Sequence, residues 1–244
     1  MRAILTYHSI EASGSPISLD QATFERHVAF FRSGAVDVLA LDELADAPDG
    51  RNALALTFDD GFENFASQAW PLLRAAKLPV TLFVASRRVG TDNAWGGSEA
   101  PGIPTLPLLD WAALRELVGQ GLQIGSHSRS HPFLSRLSDE QLALELRGSA
   151  EDLERELGVR PRSFCYPYGD LDARVVEAAR REYALACTTE LDLLRADCDK
   201  LRLPRLDAFY YRAPGRLEAW GGNSFRAHLW LRASARRLRA SWRR

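Results

Sequence analysis

Two segments of this 244-residue chain carry side chains that could do chemistry together. Thr57-Phe58-Asp59-Asp60-Gly61 places two carboxylates at the end of the apolar run Ala53-Leu54-Ala55-Leu56. His127-Ser128-Arg129-Ser130-His131 places two imidazoles four residues apart, just after Leu122-Gln123-Ile124. Two neutral histidine nitrogens and one carboxylate form a three-ligand shell that suits a divalent cation and leaves a position open for water. The second carboxylate is then free to act as a base on that water. Sequence position alone does not separate the roles of the two neighbouring aspartates. Taken singly, Asp-Asp-Gly is a turn signal after a strand, and a His-x3-His pair is common on ordinary loops. Their shared setting joins them, because both sit where a predicted strand ends, the place where α/β barrels and sheets collect catalytic groups.

The elements that must position these groups follow from hydrophobic patterning. Short β-rich runs at 3–7, 36–40, 53–58, 80–84, 122–126, 163–166 and 184–188, with a weaker one at 203–206, alternate with helical patterns at 22–32, 63–76, 111–119, 139–157 and 173–182. That alternation predicts a parallel α/β architecture. Ser138 and Gln141 make a capping box, Gly158 ends the same helix, and Asp110 caps the helix that starts at Trp111. The stretch from Ser86 to Leu109 is too long for an ordinary connection and follows a strand end. It reads either as a substrate-contacting lid with Trp95 as a sugar-stacking surface, or as an excursion whose tryptophan packs down.

Three motifs in order, Thr57-Phe58-Asp59-Asp60-Gly61, Ser126-His127-Ser128-x-x-His131 and Tyr166-Pro167-Tyr168-Gly169, resemble those of the polysaccharide deacetylases (carbohydrate esterase family 4). The resemblance runs from about Ala3 to Phe209. It implies an α/β fold, a distorted (β/α)7-type barrel in a single domain, and a hydrolase that removes acetyl groups from sugars with a metal-bound water, usually on zinc. It implies Asp59 as the base and Asp60, His127 and His131 as metal ligands. The Tyr168 N–H would be an oxyanion donor. Proline fixes the approach of that turn and glycine permits its sharpness, although an ordinary turn before Asp170 has the same composition.

Two departures from the commonest family pattern redirect the remaining roles. Those members carry the acid, a histidine, in a Leu-x-His motif near the C-terminus, whereas the only C-terminal histidine of this chain is His228, in the helical stretch Phe225-Arg226-Ala227-His228-Leu229-Trp230. His8 instead closes the first predicted strand. Its Tyr7-His8-x-Ile10 setting is similar to the biofilm poly-N-acetylglucosamine deacetylases, whose acid-bearing strand lies at the N-terminus. Imidazole is the side chain that exchanges protons near neutral pH, so His8 is the expected acid. Cys165 occupies the position of the family's base-orienting arginine, and Arg205, at another predicted strand end, is the expected substitute. His27 falls on a helical pattern with Phe24, Phe30 and Phe31 and is expected to be structural.

The three cysteines, Cys165, Cys187 and Cys198, have no Cys-x-x-Cys spacing, so neither a disulfide framework nor a cysteine zinc site is expected. No apolar run reaches 18 residues and the first residues lack a leader pattern, which favours a cytoplasmic location. The net charge of −1 hides an asymmetry: from Arg212 to Arg244 there are nine arginines and one acid, Glu218. Residues 1–212 are therefore expected to form the catalytic barrel and 213–244 a basic helical tail. Leu231, Ala235, Leu238 and Trp242 recur on one face of that tail, with Arg232, Arg236, Arg239 and Arg243 elsewhere. Such a helix suits peripheral contact with an anionic inner membrane face, or it packs its leucines on the barrel and solvates its arginines. The expected partner is an N-acetylated sugar, a glycan or a lipid-linked glycan precursor, and no nucleic acid. A carbohydrate-binding but catalytically silent member, or a metal-dependent hydrolase of a small non-sugar amide, are the competing readings.

Overall fold

The computed structural model describes residues 1–95 and 102–241, with side chains through 238. In chain order it contains β1 (Arg2–Tyr7), β2 (Ser9–Ile10), β3 (Ser18–Leu19), α1 (Gln21–Arg32), β4 (Asp37–Val38), α2 (Leu41–Asp46), β5 (Ala53–Phe58), α3 (Trp70–Ala75), β6 (Val80–Val84) and α4 (Trp111–Gly119). It continues with β7 (Gln123–Ser126), α5 (Asp139–Leu157), β8 (Ser163–Cys165), α6 (Ala173–Arg180), β9 (Leu185–Cys187), β10 (Leu206–Asp207) and α7 (Asn223–Ser241). The main sheet runs β10-β1-β5-β6-β7-β8-β9 with every neighbour parallel, and β4 adds a short pairing to β5. Cys187 bridges Leu203 in parallel, just before β10, so the sheet curls back on itself into a barrel of seven principal strands. This is the parallel α/β architecture that the alternating pattern predicts, closed into the barrel that the family resemblance implies.

Strands β1 and β5 are buried at all six positions each. Helices cover the outside and side chains fill the inside, which is why these strands read as continuous apolar runs. The capping box of α5, the left-handed Gly158 (φ 70°) and the Asp110 cap all form. The pattern expected as one helix over 63–76 divides into a wide π-turn (Phe65–Ala69) followed by α3. Pro71 has no N–H to continue an α-helical ladder, and the wider turn absorbs the break. Helix α2 is a missed element of six residues, too short to display a helical period.

Beyond residue 212 the chain stays on the barrel. Leu217, Phe225, Leu229 and Ala233 belong to the same buried cluster as Tyr7, Phe24 and Phe58. Trp242 and Arg243 lie outside the described residues.

Candidate active site

The adjacent aspartates serve different surroundings because the backbone turns between them. Asp59 still hydrogen-bonds in strand register, its N–H donating to the Tyr7 carbonyl at 3.0 Å. Asp60 then adopts φ 72° and Gly61 φ 81°, which abolishes the two-residue alternation of a strand. The Asp59 carboxylate meets Arg205 in a bidentate pair, both N···O distances 2.7 Å. Asp60 Oδ1 instead lies 3.4 Å from His127 Nε2 and 3.5 Å from His131 Nε2, buried and with no hydrogen-bond donor among the described residues.

Both histidines are aimed from outside their own loop. His127 follows β7, with its N–H on the Val84 carbonyl at 2.9 Å. Its Nδ1 lies 2.7 Å from the Cys165 carbonyl oxygen. A carbonyl can only accept, so in the neutral ring Nδ1 carries the hydrogen and Nε2 presents its lone pair toward Asp60. His131 ends a loop in which Ser128 (φ 65°) and His131 itself (φ 63°) are left-handed, with the His131 N–H on Ser128 Oγ at 3.0 Å. Glu145 of α5 accepts from the Arg129 N–H at 2.8 Å, the Ser130 N–H at 2.9 Å and Ser130 Oγ at 2.6 Å. On the other side the Ser86 and Arg87 N–H groups donate to the Ser128 and Arg129 carbonyls. Among the described residues, Asp60, Ser128, His131 and Tyr168 are four of the five non-glycine residues with positive φ. Backbone strain of this kind persists where neighbouring structure over-determines it, and it gathers here at one place.

Three buried donors, Asp60 Oδ1 and the two Nε2 atoms, thus converge with no proton donor satisfying the oxygen. This donor set fits a divalent cation. A second triple, Asp59, His127 and Cys165, is equally close but fits poorly. Burial pushes the Cys165 thiol up to about 11, leaving it protonated, and Asp59 is already committed to Arg205. Burial also pushes His131 down to about 3, which keeps it neutral and able to ligate. Burial alone would raise the Asp59 carboxyl, but the Arg205 guanidinium outweighs it and holds the group well below the ordinary range. Asp60 is likewise lowered against the effect of burial by the neighbouring imidazoles.

Arg205 reaches Asp59 from the segment that enters β10. Its Nη1 donates to Thr6 Oγ1 at 2.9 Å, its Nε to the Thr188 carbonyl at 2.9 Å, and its Nη2 lies 3.0 Å from Cys165 Sγ. The small Cys165 thus leaves room for a guanidinium that arrives from another strand. Thr6 and Thr57 face each other across β1 and β5, and Thr57 Oγ1 is 3.3 Å from the same Nη1. These two threonines and Glu145 are contributors that the sequence analysis missed. The paired threonines at strand ends were a readable signal, whereas nothing local marks Glu145.

His8 stands at the mouth, partly exposed, with Nε2 3.6 Å from Asp59 Oδ2. His228 Nε2, on α7, donates to the Tyr210 carbonyl at 2.9 Å. His27 is buried between the Tyr7 hydroxyl (2.9 Å) and the Tyr211 carbonyl (3.2 Å). The Tyr168 ring meets His131 edge-on at 4.5 Å and stacks on Phe133 at 4.2 Å. Its N–H has no acceptor among the described residues. Gly169 must be glycine: φ is +68° and a Cβ would sit 2.0 Å from Thr189 Oγ1. Trp95 packs down, stacked on His131 at 4.3 Å, while residues 96–101 of the expected lid lie outside the described residues.

The architecture is therefore that of a parallel (β/α) barrel with an Asp-His-His candidate metal set at the carboxyl ends of its strands. The polysaccharide deacetylase sequence profile matches residues 46–183, more than half of the chain, and the chain belongs to that family. It is 24% identical over 193 residues to YxkH of Bacillus subtilis (strain 168), which carries a polysaccharide deacetylase name, covering 77% of this chain and 64% of that protein. It is 29% identical over 133 residues to chitin deacetylase 1 of Cryptococcus neoformans, 54% of this chain and 24% of that one. The poly-beta-1,6-N-acetyl-D-glucosamine N-deacetylase of Staphylococcus aureus (strain MRSA252) is 23% identical over 165 residues, 62% of this chain and 54% of that one. The chain thus spans less than two thirds of each of these relatives. In fold it is similar to the structure of IcaB from Ammonifex degensii, with a TM-score of 0.72 at 23% identity over 93% of this chain and 97% of that one.

Proposed function

We propose that this protein is a metal-dependent hydrolase that removes N-acetyl groups from an amino sugar in a glycan or a lipid-linked glycan precursor. The observation that carries the reading is the contrast between two neighbouring carboxylates. Asp60 Oδ1 has no hydrogen-bond donor among the described residues and faces two imidazole nitrogens, while Asp59 is ionised, clamped by Arg205 and 3.6 Å from His8. In this reading Asp60, His127 and His131 hold the cation, Asp59 is the base, His8 the acid, and Arg205 orients the base. A divalent ion seated there would lower the pKa of a water molecule toward 7, which lets a carboxylate as weakly basic as the clamped Asp59 accept a proton.

Asp59 takes the proton as the water oxygen adds to the acetyl carbonyl carbon. The developing oxyanion is met by the Tyr168 N–H, which has no other acceptor among the described residues. His8 then gives a proton to the departing amine nitrogen, the C–N bond breaks, and acetate and a free amine result. Phe133 and Tyr168, 39% and 46% exposed and stacked beside His131, offer a flat apolar surface to the C–H face of a sugar ring. That platform favours a glycan over a small amide, in line with relatives named for chitin and poly-N-acetylglucosamine.

The test is acetate release from N-acetylglucosamine oligomers and from small amides, with and without chelator. Release from oligomers that chelation removes and zinc restores is the expected result. Release from amides alone would replace the substrate, and no release from either would favour the silent carbohydrate-binding reading.

A further inference from the structure

The C-terminal helix turns apolar side chains in two opposite directions. Phe225, Leu229 and Ala233, four residues apart, are buried in the main core. Trp230 is 67% exposed and Leu231 59%, and Ala227 and Ala235 extend the exposed stripe. At about 100° per residue, Ala227, Leu231 and Ala235 fall within roughly 80° of one another, with Trp230 at their edge and the buried trio on the far side. A helix that only docks on a barrel needs one apolar face. The second face therefore calls for a partner of its own.

The charges around this face identify the partner. Residues 223–241 contain no acid. Arg226, Arg232, Arg236 and Arg237 form no ion pair among the described residues; the Arg232 and Arg236 guanidinium groups lie 5.3 and 6.0 Å from the Tyr210 ring centroid. On the wheel Arg226 and Arg237 border the Trp230 edge, whereas Arg232 lies past Ala235, toward the buried side. A second copy of this chain would bring the same unpaired cations face to face. An anionic lipid surface accepts both features at once, taking the apolar stripe into its interface while Arg226 and Arg237 meet phosphates at the stripe's border. Among the described residues no helix is long and apolar enough to cross a membrane; with one face buried on the barrel, α7 has only its other face to offer to a surface.

We propose that the outward face of α7 docks the protein on an anionic bilayer, with Trp230 and Leu231 entering the interface and Arg226 and Arg237 contacting lipid phosphates. The proposal rests on nothing in the metal site, and its test needs no substrate.

The full chain is sedimented with vesicles of phosphatidylcholine alone or mixed with phosphatidylglycerol, at low and at high salt. Binding to the anionic vesicles only, weakened at least about tenfold near 1 M salt where the screening length is about 3 Å, is expected. The double variant Trp230→Ser/Leu231→Ser should lose about tenfold or more in partitioning. Arg226→Gln/Arg237→Gln should lose about fivefold per charge. Unchanged circular dichroism and melting temperature establish that both variants fold, and Trp230→Phe should restore most of the binding. Wild-type protein that ignores anionic vesicles overturns the proposal, as does binding that both double variants retain. A concentration-dependent dimer abolished by Trp230→Ser/Leu231→Ser, without vesicle binding, would assign the face to a second copy instead.

Discussion

The two halves of the candidate site are held by opposite means. On one side, Asp59 has both oxygens on the Arg205 guanidinium, which is itself held by Thr6, the Thr188 carbonyl and Cys165. On the other, Asp60 Oδ1 and His131 Nδ1 are buried without hydrogen-bond partners among the described residues, while the backbone carrying His131 is tied down by Glu145 and Ser128. One half is satisfied at its functional atoms and the other only at its supports. Buried polar atoms are costly to leave unpaired, so the second half is built for an external partner. Equal chemistry in adjacent residues thus meets two different environments, which suit two different roles.

Exchanging the two carboxylates is the sharpest way to break this comparison. Asp59→Asn should lower turnover about a thousandfold, in the range for removal of a general base, while zinc affinity stays within a few-fold. Asp60→Asn should lose zinc affinity by more than about a hundredfold in a chelator competition. Loss of metal in Asp59→Asn would reverse the assignment of the two acids.

Next in size is Arg205. Arg205→Leu leaves a buried carboxylate without its counter-charge, and chemical denaturation should report about 3–5 kcal/mol of lost stability. Arg205→Lys keeps the charge but not the two-pronged geometry, and should recover only part of it. Zinc affinity in Arg205→Leu should hold within a few-fold, and a parallel collapse of both properties would show that the halves are not separable.

What was legible in sequence divides along the same line. The metal half is written in two local motifs, because Asp60, His127 and His131 each sit within a few residues of a strand end whose apolar run is plain. The barrel was legible for the same reason, since strands buried on both faces, such as β1 and β5, leave uninterrupted apolar stretches. The other half comes from opposite ends of the chain: His8 follows β1, and Arg205 enters β10, which lies beside β1 in space. Only the resemblance singled these two out. Thr6, Thr57 and Glu145 escaped notice because their roles depend on pairing across strands and on the docking of α5. Short α2 and the break before Pro71 escaped because six residues make no period and tertiary packing chose the turn.

A histidine outside the site supplies the baseline for the unpaired His131. Burial pushes His27 from its ordinary 6.5 down to about 4, against a raising contribution from the Tyr211 carbonyl. The unfolded chain therefore binds more protons than the folded one between about pH 4 and 6.5, so this contribution is complete above 6.5 and is lost as pH falls toward 4. The shift corresponds to roughly 3 kcal/mol. Denaturant titrations across this window should show a shallower pH slope in His27→Gln than in wild type. An unchanged slope would remove His27 as the titrating group.

The smallest expected effect tests whether the supports of the metal half matter. Glu145 touches no ligand atom, yet its carboxylate accepts two consecutive N–H groups between His127 and His131, in a loop with left-handed residues at Ser128 and His131. Without it the loop gains alternatives, and His131 must be ordered again each time a cation binds. Glu145→Ala should weaken zinc binding about tenfold, at the lower end of what indirect partners of ligands contribute, with only a small fall in melting temperature. Glu145→Gln, which keeps one acceptor oxygen, should lie between. Co(II) substitution adds a readout that general destabilisation does not move, since an altered ligand-field spectrum reports a displaced imidazole. A Glu145→Ala protein with wild-type zinc affinity and spectrum but a lower melting temperature would reduce this residue to scaffolding. The strain at Ser128 and His131 would then be sustained by the Ser128 hydroxyl and the 86–87 backbone alone.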